Sequence, residues 1–314
     1  MPTSNVSGKA VDRMRVLVTG AAGFVARHLV PELEAHGHEV FTTDVVPVAP
    51  GMPHYAVCDL CQAEAVRELV VSVIPDGIIH LAGISFVPDA AKDPGRLYAI
   101  NISGTQHVLD AFKTVCPGGR FLFVSTAQVY GCTYNPESEP LAESAPVYPL
   151  SPYAISKVAG EAVTQAYGAY NGLHVCVVRP SNHTGPGQAT KFIVPSIVEQ
   201  AKAIKRGEKT CFVAGNLASG RDFSDVRDVV AAYRIVLENG TSGGVYNVSA
   251  APRVTIHELF ETIKAVAGVE APIETNPNFV RPTDFSRQLM TDKLRSLGWS
   301  PKLTLVDTLR DMFR

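Results

Sequence analysis

The segment Met14-Arg-Val-Leu-Val-Thr19, followed at once by the glycine turn Gly20-Ala-Ala-Gly23, constrains the fold more than any other part of the chain. The β-branched run is typical of a short strand that is buried on both faces. Apolar residues with helical spacing follow over 24–35. A strand that passes through a glycine turn directly into a helix is the opening unit of a doubly wound α/β sheet.

The same alternation of strand and helix continues along the next 150 residues or so. Further strands are predicted at 38–43, 77–81, 120–124 and 174–179, and further helices at 63–73, 98–115 and 152–170. Buried strands joined by helical crossovers form parallel sheets with right-handed connections. The sequence therefore predicts an α/β protein with a doubly wound parallel sheet, a Rossmann fold.

Beyond Pro180 the pattern changes. A loop rich in Gly, Pro, Asn and His spans 181–188, a helix is predicted over 192–204, and the elements that follow are shorter and interrupted by prolines. A length of 314 residues allows two domains or one large one. We expect a smaller α/β domain, built from the C-terminal part of the chain, beside the sheet.

Composition and charge exclude several function classes. Hydrophobic residues make up 46% of the chain and charged residues 18%, which is the opposite of the balance found in disordered proteins. A net charge of −2 argues against a nucleic-acid-binding protein. No apolar run is long enough to span a bilayer, and the polar residues 1–13 contain no signal-peptide core, so we expect a cytoplasmic protein without a membrane partner.

The six cysteines, at 58, 61, 116, 132, 176 and 211, do not form a metal-binding pattern. Cys58 and Cys61 form the only CxxC, with no second CxxC or His pair to complete a zinc site. His257-Glu258 belongs to a capping box that starts at Thr255, and the second His of a zinc-protease motif is absent because Glu stands at 261. We therefore predict reduced thiols and no metal site, and treat a redox role for the CxxC as the weaker alternative.

The glycine turn is predicted to bind a dinucleotide. Gly20 permits the tight turn, and Gly23 allows the backbone to approach a pyrophosphate at the helix N-terminus. Asp44 ends the second predicted strand 24 residues after Gly20, where a carboxylate can bind the adenosine ribose diol and repel a 2′-phosphate. The cofactor is therefore expected to be NAD(H) or NADP(H). Asp44 favours NAD, while Arg27 leaves NADP open.

Residues at the carboxyl ends of the next strands complete the predicted cofactor site. Small residues at these ends leave room for a cofactor at the edge of a parallel sheet. The residues expected to bind it, besides the helix residues named below, are Gly20, Ala22, Gly23, Phe24, Val25, Asp44, Asp59, Leu60, Leu81, Ala82 and Gly83.

Tyr153 and Lys157 are the predicted catalytic pair. They lie four residues apart in a helix that Ser151 and Pro152 are suited to start, so they share one helix face. A Tyr has an ordinary pKa of about 10. A neighbouring ammonium and an oxidised nicotinamide both favour the phenolate, so we expect a lowered pKa and a role in moving a proton to or from a sugar hydroxyl. Thr126 follows the strand at 120–124 and places another hydroxyl at the same sheet edge.

With these motifs the chain resembles the extended short-chain dehydrogenases/reductases, in the group of nucleotide-sugar epimerases, dehydratases and reductases. The resemblance extends from Arg15 to the last helix. It implies that Thr126, rather than Ser125, positions the substrate oxygen, because this hydroxyl stands four residues before Tyr130 of the VYG element. It also implies that Tyr153 and Lys157 both contact the cofactor. Ala26 stands where the commoner family glycine would be.

The family pattern also indicates a nucleotide-sugar substrate. The segment from Arg179 through Asn182 to Gln188 resembles most closely the GDP-4-keto-6-deoxy-mannose reductases. Asn182, Arg221 and Arg281 are the expected substrate-binding residues, since two arginines can clamp a diphosphate. We expect the Rossmann domain to comprise 13–180, about 223–248 and 283–297, and the nucleotide-sugar domain about 181–222, 249–282 and 298–314.

One position separates the reactions of this group. The related 4,6-dehydratases carry Glu two residues after the catalytic Thr, where this chain has Gln128, and an amide cannot take up a proton at neutral pH. Gln128 therefore argues against a dehydratase and leaves reductase and epimerase open. The resemblance favours a reductase that converts GDP-4-keto-6-deoxy-D-mannose to GDP-D-rhamnose. A nucleotide-hexose 4-epimerase is the main alternative, followed by a dehydratase and a non-catalytic dinucleotide sensor. The resemblance also implies a homodimer.

Overall fold

A parallel seven-stranded sheet forms the centre of the computed structural model, which describes residues 13–47, 49–86, 92–131, 140–250, 252–279 and 287–314. Arg281, expected to bind substrate, lies outside these residues. The strands of the sheet are β1 (Arg15–Thr19), β2 (Glu39–Asp44), β3 (Tyr55–Val57), β4 (Gly77–His80), β5 (Arg120–Val124), β6 (His174–Pro180) and β11 (Gly244–Val248). The doubly wound parallel sheet predicted from the sequence is confirmed.

The strand order is β11-β6-β5-β4-β1-β2-β3, with every neighbouring pair parallel. The chain runs outward from β1 to β3, then returns to the other side of β1 and continues outward again. The order therefore reverses between β1 and β4, and a cleft opens where their carboxyl ends diverge. Ligands of open α/β sheets bind at this position.

Helices cover both faces of the sheet. They are α1 (Ala26–Ala35), α2 (Ala63–Val73), α3 (Pro94–Tyr98), α4 (Gly104–Val115), α5 (Pro152–Asn171) and α7 (Val226–Asn239). One buried core joins α1 and α7 to alternate strand residues such as Val16 and Val18. The other joins α2 and α4 to the strand residues between them, such as Leu17. Burial on both faces is why most residues of the strands are apolar.

A third core lies in the C-terminal part of the chain. It joins α6 (Ile193–Lys205), α8 (Ile256–Ala267) and α10 (Leu305–Phe313) to β8 (Phe212–Ala214). The remaining short elements are β7 (His183–Thr184), β9 (Gly220–Asp222), β10 (Ser224–Asp225), β12 (Arg253–Thr255), β13 (Ile273–Thr275), the 3₁₀ turn Pro277–Phe279 and α9 (Asp292–Arg295). The capping box predicted at Thr255 forms, with the Glu258 amide donating to the Thr255 hydroxyl at 3.1 Å.

The helix predicted over 98–115 is interrupted. A π-helical segment, Ala99–Ser103, separates α3 from α4. Apolar spacing cannot detect such a segment, because one wider turn leaves the pattern on either side intact. Wide turns of this kind often occur at functional sites. Among the described residues, no helix combines the length and apolar character needed to cross a membrane.

Candidate active site

A large cavity of about 1350 Å³ opens at the divergence of β1 and β4 and extends to the third core. We call it the switch-point cavity. It is lined by nearly all the described residues that the sequence predicts to bind cofactor or substrate: Gly20, Gly23, Phe24, Val25, Asp44, Asp59, Leu60, Leu81, Ala82, Gly83, Thr126, Tyr153, Lys157, Asn182 and Arg221. Ala22 does not line it. The structure therefore brings together residues that are far apart in the chain, from Gly20 to Arg221.

The turn after β1 requires a glycine at position 20 because the backbone after β4 passes very close to it. The φ of Gly20 is +74°, and a Cβ built on it would lie 2.7 Å from the amide nitrogen of Ala82. Both the backbone conformation and the close approach exclude a side chain. The turn after β1 and the turn after β4 therefore meet backbone to backbone, which leaves an open surface beneath the N-terminus of α1.

Asp44 ties the end of β2 to this turn. Its carboxylate accepts from the Ala22 amide at 3.0 Å and from the Val45 amide at 2.7 Å. Ala22 does not line the cavity, but its backbone amide holds the Asp44 carboxylate in place. Asp44 itself lines the cavity and is only partly buried.

A buried histidine joins the glycine turn to the neighbouring strand. His80 Nδ1 lies 2.8 Å from the Thr19 hydroxyl, which also accepts from the Ala82 amide at 3.2 Å. Burial lowers the pKa of His80 to about 3, so the imidazole is neutral and Nδ1 accepts the Thr19 proton. The Nε2 proton is then directed to the Thr105 hydroxyl at 3.0 Å. This chain of bonds holds both strand ends in place.

Asn101, in the π-helical segment, supports the wall of the site and was not predicted from the sequence. Its Oδ1 accepts from the Ile84 amide at 2.8 Å, and its Nδ2 donates to the Ser156 hydroxyl at 3.0 Å and the Ile84 carbonyl at 3.2 Å. Gly83 has φ +153°, and a Cβ there would lie 2.9 Å from Asn101 Oδ1. Asn101 therefore joins the loop after β4 to the helix that carries Tyr153.

Thr126 and Tyr153 meet at the cavity wall. Burial raises the pKa of Tyr153 to about 12, and the neighbouring Thr126 hydroxyl opposes the rise. The lowered pKa expected from the sequence is therefore not produced by the protein's own groups. The reason is that burial is a tertiary property, which the spacing of two residues on a helix does not reveal.

Lys157 is buried one turn after Tyr153. Its ammonium donates to the carbonyl oxygen of Val124 at 2.8 Å and lies 5.0 Å from the centre of the Phe123 ring. Burial lowers the pKa of Lys157 to about 8, and the Glu161 carboxylate opposes that change. Lys157 is therefore largely charged at neutral pH and loses its proton in mildly alkaline solution.

The part of the cavity nearest the third core is cationic. Lys191, Lys209, Arg221 and Arg287 all line it. Arg287 was not predicted, because no local motif surrounds it. Asn182 lines the same region. Burial raises the pKa of the neighbouring Asp222 carboxyl above its usual range, and its Oδ2 accepts from the Ser249 hydroxyl at 2.6 Å.

Gln128 lies in the cavity lining two residues after Thr126. It belongs to a 3₁₀ turn, Ala127–Tyr130, that begins with the Gln128 amide donating to the Thr126 hydroxyl at 3.3 Å. An amide side chain therefore occupies the position where the sequence comparison with dehydratases expects a carboxylate. It offers donors and an acceptor but no general base.

The CxxC residues also line the cavity, and burial raises the pKa of both the Cys58 and Cys61 thiols. Protonated thiols are poor nucleophiles, which argues against a redox role. Within the described ranges, no group of three or more His, Cys, Asp or Glu side chains converges in a way that suits a metal ion.

The expected nicotinamide dinucleotide fits this site. The bare backbone at Gly20 and the exposed Gly23 lie below the first turn of α1, which no side chain caps. Uncapped helix N–H groups bind phosphate oxygens. Asp44 offers a carboxylate to a ribose diol at one end, and Tyr153 and Lys157 lie at the other. These residues therefore suit a nicotinamide dinucleotide.

Residues 16–249 match the NAD dependent epimerase/dehydratase family. GDP-6-deoxy-D-mannose reductase from Pseudomonas aeruginosa is 36% identical over 300 residues, which cover 94% of this chain and 95% of the relative. These values confirm the family resemblance inferred from the sequence.

Solved structures give the same result. The structure of RMD from Pseudomonas aeruginosa complexed with NADPH superposes with a TM-score of 0.84 at 35% identity, covering 96% of each chain. The UDP-glucose 4-epimerase of Thermus thermophilus in complex with NAD superposes with a TM-score of 0.83 at 31% identity, covering 96% of this chain and 99% of that one. The chain belongs to the NAD dependent epimerase/dehydratase family and is an NAD(P)-dependent enzyme of the extended short-chain dehydrogenase/reductase type.

Proposed function

We propose that this enzyme reduces the C4 ketone of a nucleotide-diphospho-4-keto-6-deoxyhexose, with GDP-4-keto-6-deoxy-D-mannose as substrate and GDP-D-rhamnose as product. The observation that carries the proposal is that Thr126 and Tyr153 neighbour each other at the wall of a cavity in which an amide, Gln128, stands where the dehydratases carry a carboxylate. The similarity to GDP-6-deoxy-D-mannose reductase supports the choice of substrate.

Tyr153 is the proposed proton donor to O4. When bound, NADH or NADPH supplies the hydride that reduces C4 and is itself oxidised to NAD⁺ or NADP⁺. The raised pKa keeps Tyr153 protonated at neutral pH, as a donor must be. Thr126 orients the ketone oxygen beside the phenol, and Lys157 stabilises the negative charge that Tyr153 acquires as its proton leaves.

The cationic end of the cavity is the proposed site of the nucleotide diphosphate. Arg221 and Arg287 carry planar guanidinium groups suited to bidentate contacts with phosphate oxygens. Asn182 supplies amide donors closer to the sugar. Arg281 remains proposed as a further phosphate ligand on the strength of the family pattern alone.

Asp44 supports a preference for NADH over NADPH. Its carboxylate lies at the end of β2 and would repel a 2′-phosphate. The relative of known structure was solved with NADPH and the Thermus epimerase with NAD, so the family accommodates both. We propose that this chain uses both cofactors and NADH the better of the two.

A 4-epimerase is the second candidate, because the Thermus epimerase superposes on nearly the whole chain. An epimerase must first oxidise its substrate, which requires Tyr153 as a base. In the protein without cofactor, burial raises the pKa of Tyr153 and so keeps it in the protonated form, which is the form that a proton donor needs. A dehydratase is disfavoured by Gln128, and a non-catalytic sensor by the complete Thr126, Tyr153 and Lys157 set.

The third core, with α6, α8 and α10, supports the proposed division into a Rossmann domain and a nucleotide-sugar domain at the boundaries given above. We also propose a cytoplasmic homodimer in which α4 and α5 pack against their copies. Ile155 on α5 is an exposed apolar residue that such contacts would cover. Light scattering at micromolar concentration tests the dimer, and a monomeric mass would contradict it.

The bound state of the purified protein tests reductase against epimerase. An epimerase retains its dinucleotide through each turnover, whereas a reductase must exchange it. Native mass spectrometry of freshly purified protein, with absorbance of the released nucleotide, measures this directly. The reductase proposal expects empty or rapidly exchanging sites, and stoichiometric NAD that survives dialysis would favour the epimerase.

A further inference from the structure

We propose that Glu161, paired with Arg179, is a positioning residue for the Thr126 segment of the active site. The kinetic part of this inference rests on the proposed oxidoreductase function. Glu161 lies one turn after Lys157 and two turns after Tyr153, on the same face of α5. It does not line the switch-point cavity, so any role in the reaction must act through other residues.

The ion pair between Glu161 and Arg179 is bidentate and buried. Arg179 Nε donates to the two carboxylate oxygens at 3.0 and 3.2 Å, and Nη2 donates to Oε2 at 2.6 Å. The side chains retain only 9% and 8% of their exposure, for Glu161 and Arg179 respectively. This pair joins α5 to the end of β6, and its fork geometry fixes the orientation of both groups.

The pair holds the residue before Thr126. The Ser125 hydroxyl donates to Glu161 Oε1 at 2.5 Å, and the Ser125 amide donates to the Val178 carbonyl at 2.8 Å. Ser125 is therefore fastened by its backbone to β6 and by its side chain to α5. Thr126 is the next residue, so the position of its side chain in the cavity wall depends on how Ser125 is held.

The pair also holds the segment after Thr126. Arg179 Nη1 donates to the Tyr130 hydroxyl at 2.9 Å, and the guanidinium lies 4.9 Å from the centre of the Tyr130 ring. The Tyr130 hydroxyl in turn donates to Asn247 Oδ1 at 2.8 Å. Tyr130 ends the 3₁₀ turn that Thr126 begins. The same ion pair thus anchors the chain on both sides of Thr126.

Glu161 also acts on the charge of Lys157. The groups that face Lys157 are Tyr153 and Glu161 on its own helix, neutral His80 from β4, and the Val124 carbonyl and Phe123 ring from β5. Arg179 stands behind Glu161. Of these groups, the Glu161 carboxylate is the one that stabilises the ammonium by its charge, against the effect of burial.

A purely structural ion pair is the alternative explanation. Removing one partner of a buried pair leaves an uncompensated charge and destabilises a protein wherever the pair lies. The two explanations predict different properties for a variant that lacks the pair. A structural pair alters the folded fraction alone, whereas a positioning pair alters the rate per folded molecule and the pH at which Lys157 loses its proton.

The chain offers a matched control. Glu238 on α7 is a buried carboxylate that accepts from Arg234 Nη1 at 2.7 Å and lies 2.9 Å from His38 Nε2. It is remote from Thr126 in the structure and does not line the cavity. Glu161→Gln and Glu238→Gln therefore remove the same charge from the same kind of environment.

Glu161→Gln is expected to lower kcat by roughly tenfold to hundredfold, because small displacements of a reacting group have effects of this size. Affinity for NADPH, measured by fluorescence titration, should stay within about threefold, since the variant changes no group that lines the cavity. The alkaline limb of the kcat/KM profile should move to lower pH, because the buried Arg179 charge is left unpaired near Lys157. Glu238→Gln should leave kcat and the pH profile unchanged.

A second variant separates positioning from stability. Replacing both partners, in Glu161→Met/Arg179→Met, leaves no buried lone charge and is expected to preserve the fold. It removes the anchors of Ser125 and Tyr130, so kcat should remain low although the melting temperature recovers. A pair variant with wild-type melting temperature and wild-type kcat would overturn the proposal.

Hydrogen exchange supplies a readout that needs no substrate. Amides of 124–130 should exchange faster in Glu161→Gln than in wild type, and at the wild-type rate in Glu238→Gln. Unchanged protection of these amides, together with a superimposable pH profile, would overturn the positioning role. If the wild type fails to reduce the ketone while the exchange result holds, the proposed function is wrong and the positioning role stands.

Discussion

The ammonium of Lys157 lies 2.8 Å from the carbonyl oxygen of Val124, the last residue of β5. This bond ties α5 to the end of β5, two residues before Thr126. Tyr153, one turn earlier on the helix, and Thr126, just beyond the strand, are thereby brought to the same wall of the cavity. The proposed catalytic residues are therefore assembled where the start of α5 meets the carboxyl end of β5.

Replacing Tyr153 with Phe should remove nearly all turnover, because the variant has no proton to give to O4. Affinity for NADPH should change by no more than a few-fold, since the ring and its packing remain. The measurement is steady-state reduction of the 4-keto sugar, with fluorescence titration of NADPH. Tyr170→Phe is the control, because Tyr170 lies on the same helix but is 85% exposed.

Retention of more than about a tenth of wild-type activity by Tyr153→Phe would contradict the assignment, because general acid catalysis contributes 10²- to 10⁴-fold.

The rate should fall in alkaline solution as Lys157 loses its proton. Burial lowers its pKa to about 8. Below this pH the ammonium is present and stabilises the developing phenolate, and above it the neutral amine does not. We expect log kcat/KM to decline with rising pH from about pH 8. A profile that stays flat to the alkaline limit of protein stability would show that the charge of Lys157 is not needed.

Gly20→Ala should destabilise the fold and weaken cofactor binding. The φ of +74° is unfavourable for Ala, and the added Cβ would lie 2.7 Å from the Ala82 nitrogen. Gly118→Ala is the matched control, because Gly118 has φ +80° but no atom within 4 Å of the position that a Cβ would take. Strain of this kind costs about 1–3 kcal/mol. The free energy of unfolding, measured by chemical denaturation, and the affinity for NADPH should both fall further in Gly20→Ala than in Gly118→Ala. Equal decreases in the two variants would contradict the close contact between Gly20 and Ala82.

Asp44→Asn should shift the cofactor preference toward NADPH. The amide keeps an oxygen that can accept from Ala22, but it removes the charge that repels a 2′-phosphate. We expect the ratio of kcat/KM for NADPH to that for NADH to rise by about tenfold, which corresponds to about 1.4 kcal/mol of relieved electrostatic repulsion. A ratio that does not move would mean that Asp44 does not contact the ribose.

Local features of the chain were predictable and tertiary ones were not. The strand, glycine turn and helix at 15–35 follow from short-range patterns, and so does the spacing of Tyr153 and Lys157 on one helix face. Helix α2 and strand β5 match their predicted bounds without change. These features depend on periodicity, capping and turn chemistry, all of which are encoded within a few residues.

Asn101 and Arg287 are two residues of the site region that the sequence patterns did not predict. Asn101 lies in a wide helical turn that the hydrophobic pattern does not detect. Arg287 lines the cavity only because of the tertiary fold, and no local sequence motif marks it. The spacing of Tyr153 and Lys157 also does not reveal burial, which raises the pKa of Tyr153 in the protein without cofactor.

The central claim is that the wild-type enzyme reduces a 4-keto sugar and does not form one. The direct test supplies the protein, in separate reactions, with GDP-4-keto-6-deoxy-D-mannose plus NADH or NADPH, and with GDP-mannose plus NAD⁺ or NADP⁺. We predict loss of reduced-nicotinamide absorbance with the ketone, formation of GDP-D-rhamnose, and no 4-keto product from GDP-mannose, because Gln128 provides no base for elimination. Robust dehydration of GDP-mannose, with no consumption of the ketone, would contradict both the role given to Gln128 and the proposed reductase.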